Sequence, residues 1–354
     1  MYAGWFLAAM LGMGAAEGAV ESCATVPCAA GGTKVCEPAT AERKVARNVI
    51  LMIGDGMGSE QVWAAWLYNG SKLNITTLPV TGMSITTSAS HGITDSAAGG
   101  TAIACGCKAI NGQLGLDAKG NAVESLAARM RKAGKATGIV VTKSVTDATP
   151  AAFYAHVKSR KDTPAIARAL LNAGFDVVAG GGSADFSAEQ RAELEKKTRM
   201  LELAAAGECE PASRRGDWMP QQVEKALRVL EKDKDGFFLM VEGSRIDMEA
   251  HVHHLKEMIM ETLDFDRAVG VVLEWMKNHP DTLLVVTADH QTGGLSITNA
   301  NRETGMVKGE YTTFQHSGVA VPVYAAGVGA ERFTGVRENT ALAPEIYQAA
   351  GMAL

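Results

Sequence analysis

The sequence predicts an α/β fold, a three-layer α/β/α sandwich around a large, mostly parallel central β-sheet. Two observations carry the prediction. Three short apolar runs of strand character, Asn48–Ile53, Phe237–Val241 and Leu283–Ala288, each lead directly or within two residues into a metal-type side chain: Asp55, Glu242 and the pair Asp289-His290. Helical segments alternate with strands over most of the chain, which indicates a parallel-rich sheet covered on both faces. In such open sheets the ligand site lies beyond the carboxyl ends of the strands. The 354 residues, 47% hydrophobic and 21% charged, suit one large domain with a sizeable core.

From the N-terminus, residues 1–18 read as a signal peptide. Trp5 to Ala16 is apolar, ends in the small residues Gly14 and Ala16, and is too short to span a membrane. The expectation is an exported protein, periplasmic or extracellular. Val20-Glu21-Ser22-Cys23 faintly resembles a lipoprotein cleavage box, but Glu21 fits it poorly, so lipid anchoring ranks below simple secretion. Residues 19–46 are rich in Ala, Gly and Thr and read as an arm or linker, with the globular domain over 47–354. The six cysteines, Cys23, Cys28, Cys36, Cys105, Cys107 and Cys209, have no zinc-knuckle spacing, which favours disulfides in an exported chain.

The first strand leads into Asp55. Next, Thr94-Asp95-Ser96-Ala97-Ala98-Gly99-Gly100-Thr101-Ala102 places a serine between an aspartate and small residues that read as a helix start. First-turn N–H groups there favour an anion, and small side chains let a tetrahedral oxyanion approach the backbone. Asn121-Ala122-Val123-Glu124 offers a capping box to a helix ending near Gly134, and Ile139-Val140-Val141 follows as a strand. A helix starting near Pro164 precedes the strand Phe175–Gly180. Residues 183–235, polar and with a helix near 188–203, read as a short surface insertion. Beyond Glu242, Asp247 and His251 lie four apart, one helical turn, so they can share a cation. Gln315-His316-Ser317-Gly318 precedes the strand Val321–Ala325 and supplies a histidine from a loop.

Together, Asp55-Gly56-Met57-Gly58, Thr94–Ala98, Asp147-Ala148-Thr149-Pro150, Val241–Asp247, Thr287–His290 and His316-Ser317-Gly318 resemble, in order, the motifs of the alkaline phosphatase family. The resemblance runs from about Asn48 to near the C-terminus. It implies phosphate-monoester hydrolysis through a phosphoserine on Ser96, with two Zn2+ and one Mg2+. Asp247, His251 and His316 match the first zinc site; Asp55, Asp289, His290 and the Ser96 oxygen match the second. Coordination lowers a hydroxyl pKa, so Ser96 would act without a histidine base. Asp55, Thr149 and Glu242 match the third site, whose all-oxygen donors favour magnesium, with Asp147 holding coordinated water. Arg160 matches the phosphate clamp, its planar fork suiting two nonbridging oxygens.

The match departs from the family at Met248, where Lys or His is common beside the phosphate and the third metal. His253 and His254 fall outside it and read as standing behind the ligands or facing solvent. The implied partners are small phosphate monoesters, and a homodimer is compatible with the resemblance. A net charge of −5 without a Lys/Arg-rich run argues against a nucleic-acid surface. A sulfatase needs a C-x-P-x-R context, which Cys36-Glu37-Pro38-Ala39-Thr40 and Cys209-Glu210-Pro211-Ala212-Ser213 lack. The remaining alternatives are a phosphodiesterase of the same superfamily, which typically uses threonine and no third metal, a phosphomutase, and a noncatalytic phosphate- or metal-binding envelope protein.

Overall fold

A computed structural model describes residues 45–353. The signal segment expected over 1–18, nearly all of the arm over 19–46, and Cys23, Cys28 and Cys36 lie outside the described residues. In chain order the main elements are β1 (Asn48–Gly54), α1 (Ser59–Tyr68), β2 (Val80–Ile85), α2 (Ser96–Cys105), α3 (Leu126–Lys132), β3 (Ala136–Ser144), α4 (Ala148–Ala151) and α5 (Thr163–Ala173). Then come β4 (Val177–Gly181), α6 (Ala188–Lys197), β5 (Met200–Leu203), α7 (Ala212–Arg215), α8 (Trp218–Leu230), β6 (Phe237–Gly243), α9 (Arg245–His251) and α10 (Leu255–Met276). The last part holds β7 (Thr282–Thr287), β8 (Gln291–Thr292), β9 (Leu295–Asn301), β10 (Met306–Tyr311), β11 (His316–Ser317), β12 (Val321–Gly327), β13 (Gly335–Glu338) and α11 (Leu342–Ala349).

Nine strands form one sheet in the order β13-β2-β12-β7-β1-β6-β3-β4-β5. All neighbours run parallel except β12, which is antiparallel to both β2 and β7. The fold is therefore the expected mostly parallel α/β sandwich. Strand β1 explains its layering: it is buried along its length, and alternate side chains enter different cores. Val49, Leu51 and Ile53 pack with Ile103, Met130, Ile166 and Ile346 on one face. Ile50 and Met52 pack with Val62, Val223, Leu227 and Val269 on the other. A strand apolar on both sides is stable only between two helical layers.

Some local readings need correction. The helix after residue 120 is capped by Ser125, whose Oγ accepts from the Ala128 N–H, and not by the 121–124 box. The helix read near 188–203 stops at Lys197; Thr198 turns the chain and Met200–Leu203 becomes the edge strand β5 beside β4. The stretch 183–235 thus supplies a strand to the sheet and, in α8, a core helix with Val223, Ala226 and Leu230 buried. Cys105 ends α2, Gly106 takes the left-handed C-cap, and Cys105, Cys107 and Cys209 are free thiols. The disulfide expectation therefore rests on the three cysteines outside the described residues. No described helix is long and apolar enough to cross a membrane.

One buried ion cluster ties α7 to α10. The Arg215 guanidinium, 4% exposed, donates to Glu261 Oε1 at 3.0 Å and to Asp264 Oδ2 at 2.9 Å, both carboxylates being buried. Burial raises both carboxylates above their usual range despite this partner. Removing one member of such a cluster leaves charge without compensation in the interior. Arg215→Ala should therefore cost about 3 kcal/mol, read as a lower urea midpoint; an unchanged midpoint contradicts this account of the α7–α10 junction.

Candidate active site

The site gathers at the carboxyl ends of the central strands, as expected for an open α/β sheet. In register, Ile53 of β1 pairs with Glu242 of β6, and Val141 of β3 pairs with that same Glu242. Asp55 lies two residues beyond Ile53, and β7, on the other side of β1, delivers Asp289 and His290 just past its end. Gly56 is required here, with φ +68 and no room for a Cβ: one would meet Thr292 Oγ1 at 2.7 Å and the Asp247 backbone at 3.0 Å. Gly99 in α2 likewise admits the Asp289 carbonyl, which a Cβ would meet at 2.9 Å. That close approach carries Ser96, the first residue of α2, to the β7 end.

Two ligand groups form. Asp247, His251 and His316 converge, with His251 Nε2 3.2 Å from Asp247 Oδ1 and 3.2 Å from His316 Nε2. Asp55, Asp289 and His290 converge in the second, with His290 Nε2 3.4 Å from Asp55 Oδ1, 3.2 Å from Asp289 Oδ2 and 3.2 Å from Ser96 Oγ. Each histidine has its other nitrogen committed. His251 Nδ1 donates to the Phe314 carbonyl at 2.6 Å and His316 Nδ1 to the Thr94 carbonyl at 2.8 Å. Thr292 donates its hydroxyl proton to Asp247 Oδ1 and accepts from His290 Nδ1 at 3.2 Å. With each Nδ1 committed, every Nε2 faces another ring nitrogen or a carboxylate, so it must either carry a second proton there or share a cation.

A third set consists of oxygens. Both carboxylate oxygens of Asp55 and of Glu242, and the Thr149 hydroxyl, are buried without a hydrogen-bond partner, as is Asp289 Oδ2. Buried polar atoms are normally paired, so these orphans fit cation ligation. Burial, then the charges of Asp289 and Asp247, push Asp55 well above the usual carboxylate range. Burial and Asp247 lift Asp289 to about 7; burial and Asp147 lift Glu242 to about 8. Burial also opposes the charge of Asp247, but the His251 hydrogen bond and the charges of His290, Lys143 and His316 hold it below the ordinary value.

Arg160 enters from the loop before α5. Its Nη2 lies 3.3 Å from Asp147 Oδ1 and its Nη1 3.6 Å from Asp95 Oδ2, so the guanidinium is anchored between residues flanking Thr149 and Ser96. Asp95 also caps α2, accepting from the Ala98 N–H at 3.0 Å. Met248 is half-buried on α9.

Two neighbours, Thr292 and Lys143, escaped the sequence reading, and His253, read as standing behind the ligands or facing solvent, takes the first of those places. Thr292 links the two histidine groups. Lys143 pairs with Asp147 at 3.1 Å. His253, at φ +59, stacks between Phe314 (centroids 4.0 Å apart) and Tyr311 (4.6 Å) and donates from Nε2 to the Thr313 carbonyl. It therefore clamps the loop that carries His316 against the end of α9. A histidine two residues past a ligand histidine was the available signal; His254 instead faces solvent beside Glu249.

A family model for alkaline phosphatase matches residues 46–208 and 212–309. The chain belongs to the alkaline phosphatase family. It is 36% identical over 294 residues to alkaline phosphatase 4 of Bacillus subtilis, covering 73% of this chain and 64% of that one. It is 31% identical over 409 residues to the alkaline phosphatase of Escherichia coli, covering 87% of each. The chain thus spans just under two thirds of the B. subtilis relative and most of the E. coli one. Among solved structures, the alkaline phosphatase of the Antarctic bacterium TAB5 superposes with a TM-score of 0.83 at 31% identity, over 88% of this chain and 100% of that one. A variant of the TAB5 protein is described with magnesium bound.

The raised carboxylates fix a pH signature for metal-stripped protein. Asp289 and Glu242 bind protons more tightly folded than unfolded, so their contribution is complete below about pH 4. It is lost as pH rises through about 7 and about 8. The melting temperature of metal-stripped protein should fall as pH rises through that window, and zinc with magnesium should flatten the profile. A metal-free profile that is already flat contradicts this reading of the cluster.

Proposed function

We propose that this alkaline phosphatase family member is a phosphomonoesterase that passes a phosphoryl group through Ser96, using two zinc ions and one magnesium ion. The observation that carries the reading is the setting of Ser96. Its Oγ stands 3.2 Å from His290 Nε2 at the start of α2, in a cluster that also holds the orphaned oxygens Asp55 Oδ1, Asp55 Oδ2 and Asp289 Oδ2. Asp247, His251 and His316 would hold one zinc, Asp55, Asp289 and His290 the other. Asp55, Thr149 and Glu242 would hold magnesium, with Asp147 behind it; the magnesium described in the TAB5 variant supports that choice. When bound, these cations supply charge neutralisation and lower the pKa of coordinated hydroxyl and water.

The chain's own groups then have defined tasks. Ser96 Oγ loses its proton and attacks phosphorus, the P–O bond to the alcohol breaks, and the alcohol leaves with a proton. Water then attacks the phosphoserine, restoring the Ser96 hydroxyl and releasing inorganic phosphate. Arg160, anchored by Asp95 and Asp147, holds two nonbridging oxygens through both steps. The N-terminal N–H groups of α2 face the same anion. Met248 brings no charge to α9, which on this reading favours release of phosphate over its retention. Small phosphate monoesters are the substrate class, and export through residues 1–18 and a homodimer belong to the same proposal.

The test is an acid quench with phosphate-labelled monoester on zinc- and magnesium-loaded protein. Label should be trapped on Ser96, and Ser96→Ala should abolish trapping and lower turnover by at least about 1,000-fold. Chelation should abolish release and the two metals together restore it. Label on another residue, or full activity in verified metal-free protein, overturns the proposal.

A further inference from the structure

Among the described residues, Lys143 is the one cation of the site that the proposed reaction does not use. It sits at the carboxyl end of β3, two residues past Val141, the register partner of Glu242. Its side chain is only 13% exposed, and its Nζ lies 3.1 Å from Asp147 Oδ2. The other oxygen of that carboxylate takes Arg160 at 3.3 Å. One carboxylate therefore touches both cations, so a shift of Asp147 would disturb Lys143 and one of the two anchors of Arg160 together. Burial works against the Lys143 charge, but Asp147, Asp55, Asp247 and Glu242 outweigh it and keep the ammonium protonated. The influence is mutual, since Lys143 lowers the proton affinity of Asp55 and Glu242. A permanent positive charge thus faces two of the three donors assigned above to magnesium.

We propose that Lys143 is a positioning residue that fixes Asp147 under Arg160 and, by facing the Asp55–Thr149–Glu242 donors with a fixed ammonium, keeps magnesium affinity at that site low. The inference rests on the three-metal reading above. A fixed ammonium acting on the donors of a partly desolvated site would oppose binding of a divalent cation there by about tenfold or more in Kd. The ammonium also partly neutralises the donors when magnesium is scarce, so the geometry around Arg160 persists without the ion. A simple structural lysine would hold Asp147 in place but leave magnesium affinity indifferent to its charge.

The experiment is calorimetric titration of magnesium into zinc-loaded protein, which reads binding without turnover. Lys143→Met should bind magnesium at least tenfold more tightly than the natural protein, while Lys143→Arg, which keeps the charge, should stay within about threefold of it. Inorganic phosphate, titrated into the same samples without magnesium, should bind more weakly to Lys143→Met because Asp147 no longer aims Arg160. Should Lys143→Met fail to fold, Lys143→Gln carries the same expectations. Unchanged or weaker magnesium binding in the neutral variant, or equal tightening in Lys143→Arg, overturns the proposal. Phosphate release from a monoester by the natural zinc-loaded protein, measured alongside, reports separately on the phosphatase reading.

Discussion

The mutual repulsion of Asp55, Asp289 and Glu242, buried together without enough protein donors, is the constraint on which the rest of the site depends. Each carboxylate desolvates the next, and burying an anion is tolerable only if it is protonated, paired or bound to a metal. The framework makes protonation or metal binding the only exits. Backbone N–H groups satisfy just one oxygen of Asp289, from Gly56 at 3.2 Å and His290 at 3.0 Å, and leave the other open. The fold therefore stores electrostatic strain that divalent cations discharge.

Parallel strands bring that constraint about at little cost to the core. Because β7, β1, β6 and β3 are adjacent and parallel, their carboxyl ends open on one side of the sheet, and one or two residues past each end suffice to gather the ligands. Helix α9 adds Asp247 and His251 one turn apart, and the short β8–β11 pairing sets His316 opposite Thr292. Arg160 and Lys143 then meet on Asp147, which places two cations on one carboxylate beside the anions of the strand ends.

The convergence of these residues was legible because strand ends and helical spacing are visible in one dimension. Apolar runs closing on Asp55, Glu242 and Asp289-His290 mark where chain leaves the sheet, and Asp247 and His251 are one turn apart on any helix. Thr292 and Lys143 were not legible: Thr292 acts through Asp247, far along the chain, and Lys143 through a local turn that brings Asp147 back onto it. Threonine after a strand is common, and only the return of β8 against β11 puts Thr292 between Asp247 and His290. Lys143 looks like an ordinary polar strand end until Asp147 turns back onto it. The single helix read over 188–203 failed because Leu194 and Leu201, seven apart, keep helical spacing across the break, whereas pairing with β4 decides the second part. Polar composition likewise hid the core helix α8, whose buried face is a narrow stripe.

The central claim is that these buried donors are assembled to hold cations rather than to pair with one another. Anomalous scattering from a crystal of the zinc- and magnesium-supplemented protein, recorded on both sides of the zinc edge, tests it most directly. The account predicts one zinc peak among Asp247, His251 and His316 and a second among Asp55, Asp289, His290 and Ser96. Crystals with full density for these side chains but no zinc peak between them would contradict it.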